Sequence, residues 1–333
     1  MRQRYLALFS MFASLPAMAL TFQTRMENVA WKVEGDVFEC RLVQPVEGFG
    51  SGEFVRRAGE AATFQLRSSA NALGAGPATL LAAAAPWQPG RADIDLGSVR
   101  LGRTGVLFSS SQGQASRLIN GLLDGRSAVV RNRAGEGGRT MDVRVLPVSF
   151  AKAYTDYQVC ASRLLPMNYD QIRQTQVGFP ARDGTDLDAA AKARLDVLLD
   201  YMKADPTVNR IELDGHSDNS GNRLTNRELS RRRALAVADY FKAHGFTDAQ
   251  ITVRFHGERY PLVRNNNASN RARNRRVSIQ LERGAALESP APASEPAAPA
   301  ASAASQAPAA SAPAAPAPTT SNVATPAPTP AKP

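Results

Sequence analysis

Asp214-Gly215-His216-Ser217-Asp218-Asn219-Ser220-Gly221 is a polar, glycine-punctuated loop between two segments of different period. Before it, Arg210 to Gly215 reads as a strand. After it, Asn226, Leu229, Arg233, Val237 and Phe241 recur at steps of three or four and so share one helix face. An arginine therefore sits in an apolar stripe. Burying a guanidinium without an acid is expensive, so either an internal carboxylate meets Arg233 or the position is kept for an anionic ligand. Asp218 is the obvious nearby acid, and the free N–H groups of the helix N-terminus favour a carboxylate in the same place. On chemistry alone, a structural Asp218–Arg233 salt bridge and a ligand site built from both residues stay equally open.

Outward from this loop the text alternates. A strand from Ile172 to Gly178 precedes a helix from about Asp186 to Lys203, with Leu187, Ala191, Leu195, Leu198 and Met202 on one face and Asp186 as its expected cap. The helix carrying Arg233 ends at His244-Gly245, a basic residue followed by a C′ glycine. Strands Ile251 to Gly257 and Arg276 to Leu281 follow, the latter turning Val277, Ile279 and Leu281 inward. Residues 166–283 thus predict an α+β domain, a mixed sheet with two main helices on one side.

The same residues carry a resemblance. Gly215-His216-Ser217-Asp218, Asn226, Leu229-Ser230, Arg233-Ala234, Val237, Gly257-Glu258, Pro261, Asn265 and Asn274-Arg275-Arg276-Val277 are similar, in ordered spacing, to the OmpA-like peptidoglycan-binding domains. The resemblance implies that Asp218 and Arg233 grip the ammonium and carboxylate on the diaminopimelate side chain of the wall's stem peptide. Asn226 is then nearby and Arg275 completes the candidate set. Ser217 stands where threonine is commoner, which keeps the hydroxyl. A Ser-His-Asp hydrolase does not fit: three consecutive residues cannot form the relay, and Asn219 replaces the second glycine of a nucleophile elbow. No histidine pair has zinc-ligand spacing. The expectation is a binding protein, not an enzyme, with no cofactor and no metal.

Across 333 residues the chain has room for two domains. Met1-Arg2-Gln3-Arg4, an apolar run and Ala17-Met18-Ala19 read as a signal peptide over residues 1–19. The run is too short to span a bilayer, so an exported protein that does not cross the membrane is expected. Cys40 and Cys160 are the two cysteines, and an even count in an exported chain suggests a disulfide over two buried thiols. The formal charge of +10 goes with an anionic surface, and export argues against nucleic acid. Arg231, Arg232, Arg271, Arg273, Arg275 and Arg276 read as solvated faces, either attracted to an acidic wall polymer or with no specific partner. Residues 284–333 are almost wholly Ala, Pro, Ser and Thr, a composition that reads as a disordered tail.

Residues 20–165 read as short strands separated by glycine-rich turns, with helices at Ala115 to Leu123 and Phe150 to Leu164. This predicts a mainly antiparallel β domain with short helices, its closing helix tied by Cys160 to the strand bearing Cys40. Leu20-Thr21-Phe22, Val37-Phe38-Glu39-Cys40, Leu122-Leu123-Asp124-Gly125-Arg126 and Leu164-Leu165-Pro166 resemble the MotY family, periplasmic proteins of sodium-type and polar flagellar motors. That resemblance implies a periplasmic T-ring component at the flagellar basal body. Its partners would be the stator subunit, basal-body ring proteins and peptidoglycan. A general envelope tether with a non-flagellar partner is the alternative.

Overall fold

The computed structural model of the chain describes residues 20–69, 72–133 and 139–284. The expected signal peptide, the turn at 135–138 and the tail from 285 onwards lie outside them. The first half contains β1 (Leu20–Phe22), β2 (Lys32–Gly35), β3 (Glu39–Val46), β4 (Gly50–Arg57), β5 (Thr63–Ser68), β6 (Gly76–Ala83) and β7 (Ile94–Leu101). It continues through β8 (Gly105–Ser109), α1 (Gln112–Leu123), β9 (Ser127–Asn132), β10 (Met141–Val145) and α2 (Phe150–Ala161). The strands form two five-stranded sheets, ordered β1-β10-β9-β6-β7 and β2-β3-β4-β5-β8. Every pairing is antiparallel except β1 with β10. Leu42, Phe54, Phe64, Leu80 and Val130 from the sheets meet Leu118 of α1 and Phe150 of α2 in one core.

Two inner strands, β6 and β9, carry no alternating strand pattern in the sequence, for a physical reason. Both faces of their sheet are covered there: Leu80, Ala82 and Val130 enter the main core, while Leu81, Ala83 and Val129 form a small cluster of their own. Such strands show no alternation, and the alanines of β6 lack β propensity. Ser111 starts α1 through a reciprocal capping pair with Gln114, and Gly125, at φ 75°, ends it.

Cys40 on β3 and Cys160 on α2 form a disulfide, their Cα atoms 6.0 Å apart across 120 residues of sequence. Gly35, which pairs with Cys40, makes this approach possible. A Cβ there would lie 2.3 Å from the Glu39 carbonyl oxygen and 3.1 Å from Cys160 Sγ.

The second half runs α3 (Tyr169–Ile172), β11 (Gln174–Gly178), α4 (Ala189–Ala204), β12 (Val208–His216), α5 (Arg223–Ala243), β13 (Ile251–Gly257), α6 (Ala268–Asn274) and β14 (Arg276–Arg283). Its sheet has the order β11-β14-β12-β13, with β12 and β13 parallel and the other pairs antiparallel. Leu195, Leu198 and Met202 of α4 and Val237 and Phe241 of α5 close over Ile211, Leu213, Val277, Ile279 and Leu281. The cap of α4 is Asp188, not Asp186: its carboxylate accepts from Ala191 N at 2.7 Å, so the helix begins later than expected. Asn222 caps α5. Gly215 lets the end of β12 cross α5 closely, since a Cβ there would lie 2.2 Å from the Ser230 carbonyl oxygen. That crossing delivers the loop at 217–221 to the start of α5.

The halves share contacts at two turns. Phe38, between β2 and β3, stacks edge-on against Tyr201 of α4 at 5.4 Å and packs with the second core. Gln171 donates to Gly59 O at 3.1 Å, and Asn168 to Glu60 at 2.9 Å. Among the described residues no helix is long and apolar enough to cross a membrane.

The disulfide closes a long loop, worth at most about 4–5 kcal/mol in the chain-entropy account. Cys160→Ser is therefore expected to lower the urea midpoint and the amount of protein that accumulates. A midpoint equal to that of the oxidised wild type would contradict this.

Candidate functional site

Arg233 is fully buried on α5. Its Nε donates to Gly184 O at 2.9 Å, and its Nη2 donates to Ala181 O at 3.1 Å and Arg182 O at 2.6 Å. The guanidinium lies 5.3 Å from the centre of the Phe179 ring. Nη1 is buried without a hydrogen-bond partner, and among the described residues no carboxylate forms an ion pair with Arg233. Burial, then the neighbouring Arg275 charge, pull its pKa down to about 10 against the attraction of Asp218 and Asp183. It stays charged at neutral pH.

Asp218 pairs with a cation other than Arg233. Its carboxylate accepts from Ser220 N at 2.9 Å and from Arg275 Nη1 at 2.9 Å, and the residue is 3% exposed. Burial opposes its charge, yet the Ser220 and Arg275 hydrogen bonds hold its pKa below the usual carboxylate value. The same Arg275 donates to Phe179 O at 3.0 Å and Pro180 O at 2.6 Å. The carbonyls after β11 are thus shared between the two arginines. The direct Asp218–Arg233 salt bridge is replaced because Arg275, entering β14 beside the end of β11, approaches the carboxylate across the sheet. Asn226 is 2% exposed and turns its amide to Glu258 at 2.5 Å.

The solvated-face reading of Arg275 and Arg276 is also corrected. Arg275 is spent on Asp218 and the carbonyls after β11, while Arg276 is 7% exposed and reaches the Tyr260 carbonyl at 3.4 Å. Asn274, fully buried, accepts from Leu262 N and Val263 N and donates to Val263 O and Asn265. It ties down the loop at 260–267. Glu258 and Asn274 both stand in the quoted motif, which carried no sign of what each touches.

His216 is 6% exposed and stacks on His256 at 5.2 Å, whose Nε2 lies 2.8 Å from Asp214 Oδ1. Burial, then the charges of Arg276 and His256, lower the His216 pKa to about 4 against Asp214. His216 and Asp218 flank Ser217 but turn to different partners, His256 and Arg275. Because folding depresses the His216 pKa, the stability it carries is complete above the unfolded value near 6.5 and is lost as pH falls towards 4. By pH 4 that loss is about 3 kcal/mol. His216→Phe, which keeps a ring on His256, is expected to flatten this part of the profile in urea melts from pH 7 to 4. An identical decline in both proteins would contradict it.

Residues 22–166 match the family described as the MotY N-terminal domain, and residues 181–275 match the OmpA family. The sodium-type flagellar protein MotY of Vibrio parahaemolyticus is 25% identical over 248 residues, 74% of this chain and 84% of that protein. The peptidoglycan-associated lipoprotein of Pseudomonas putida is 37% identical over 98 residues, 29% of this chain and 58% of that protein. The chain thus spans a little over half of that relative's length. The crystal structure of the peptidoglycan-associated lipoprotein from Burkholderia pseudomallei superposes on 32% of this chain and 89% of its own, at 26% identity and a TM-score of 0.30. The chain therefore carries a region that matches the MotY N-terminal domain followed by one that matches the OmpA family.

Proposed function

We propose that this chain is a non-enzymatic envelope protein of the flagellar motor that holds peptidoglycan through its OmpA-family domain. Its MotY N-terminal domain then contacts the basal body and helps recruit or steady the stator. The observation that supports wall binding most is Arg233, a buried guanidinium that pairs with no acid among the described residues and whose Nη1 is unsatisfied. Asp218, Arg233 and Arg275 together carry one surplus positive charge, which favours a ligand bringing a carboxylate. The diaminopimelate side chain brings a carboxylate and an ammonium on one carbon. In this reading the carboxylate meets Nη1 of Arg233, and the ammonium uses the lone pairs that Ser220 and Arg275 leave on Asp218. Asn226, held by Glu258, borders the site. The flagellar part rests on the match over residues 22–166 and on the MotY of Vibrio parahaemolyticus, which shares both halves. In this reading the protein lies in the periplasm at the basal body, a location that the similarity to a flagellar protein supports.

Asp218→Asn removes the charge with little change of shape. It is expected to weaken sedimentation with purified peptidoglycan by roughly 2–5 kcal/mol. Arg233→Lys should be nearly as damaging, because an ammonium cannot reproduce the planar fork. Folded variants that bind the wall at full strength would reject the site. A fluorescent fusion should gather at the flagellar pole, and an even peripheral signal would favour a general tether instead.

A further inference from the structure

Beside the site lies a pocket of about 700 Å³ between the first turns of α5 and the end of β13. Arg223 and Arg227 come from the helix and Arg259 from the strand's exit, and all are exposed. Among the described residues none of these arginines has an ion-pair partner; Arg227 lies over Phe255 and Arg259 over Tyr260. The acid on the pocket wall, Glu258, is engaged by Asn226. Arg223 stands at the first helical position and the first turn holds no acid, an arrangement that opposes the helix dipole. Cations that cost local stability and lack internal partners point to an external anion.

The pocket is joined to the Asp218 loop by the backbone. Ser217 N donates to Gly257 O at 2.9 Å, and a Cβ on Gly257 would lie 3.2 Å from Arg227 N. An anion in the pocket is therefore within reach of a peptide whose diaminopimelate occupies the Asp218–Arg233 site, since each extended residue spans about 3.3–3.6 Å. We propose that the Arg223–Arg227–Arg259 pocket is a second subsite, taking another carboxylate of the same stem peptide. This rests on the wall-binding reading above. Two sources share that chemistry: the free α-carboxylate of the γ-linked glutamate and the terminal alanine carboxylate.

Three tetrapeptides of alanine, γ-linked glutamate, diaminopimelate and alanine separate the cases: one unmodified, one amidated at the glutamate α-carboxyl and one amidated at the terminus. Titrated onto the full chain by calorimetry at low salt, one amidated peptide is expected to bind roughly fivefold more weakly than the unmodified one. Which amidation weakens binding identifies the carboxylate. The Arg223→Gln/Arg227→Gln variant should lose this preference while its thermal midpoint stays equal or rises. Equal binding of all three peptides by wild type would overturn the subsite and leave the Asp218–Arg233 reading standing. No binding of any of them would overturn both.

Discussion

A guanidinium buried without a counter-ion among the described residues is the constraint on which the second half turns. Arg233 lies in the apolar stripe of α5, where a hydrocarbon side chain would pack at no electrostatic cost. The fold meets that cost with backbone oxygen: the carbonyls of Ala181, Arg182 and Gly184 close over the fork. Those carbonyls are held in place because Phe179 hydrogen-bonds to Arg275 beyond the end of β11. Arg275 in turn neutralises Asp218. Sheet edge, loop and helix are therefore one electrostatic unit, and within it Nη1 of Arg233 is left without a hydrogen-bond partner.

Much of this was readable in advance, and the limits were physical. Strand-helix alternation from residue 174 to 283 is carried by periodic apolar residues, and the glycine at 245 follows α5 where turn chemistry puts it. What pattern could not supply was pairing. Asp218 is near Arg233 in sequence, but Arg275 reaches it through the antiparallel return of β14 beside β11, a contact across 57 residues. Runs of arginine look solvated in one dimension, so the burial of Arg276 was likewise hidden. In the first half, β6 and β9 were lost because strands covered on both faces do not alternate.

The first half is organised by a different device. A core of two sheets is fastened by the Cys40–Cys160 disulfide, so α2 is bound to the strand beside the turn that carries Phe38. Phe38 itself packs with the second core. The disulfide thus steadies the element through which the first half meets the second.

In the proposed site Arg233 awaits a carboxylate, and arginine side-chain NMR of the full chain reads that group directly. Adding meso-diaminopimelate should produce a saturable shift of the Arg233 guanidinium resonances, with a smaller response from Arg275. 1,5-Diaminopentane, which has the amines but no carboxylate, should leave Arg233 unmoved. Arg233 resonances that stay fixed while the protein binds diaminopimelate, or that respond equally to both compounds, would contradict the account.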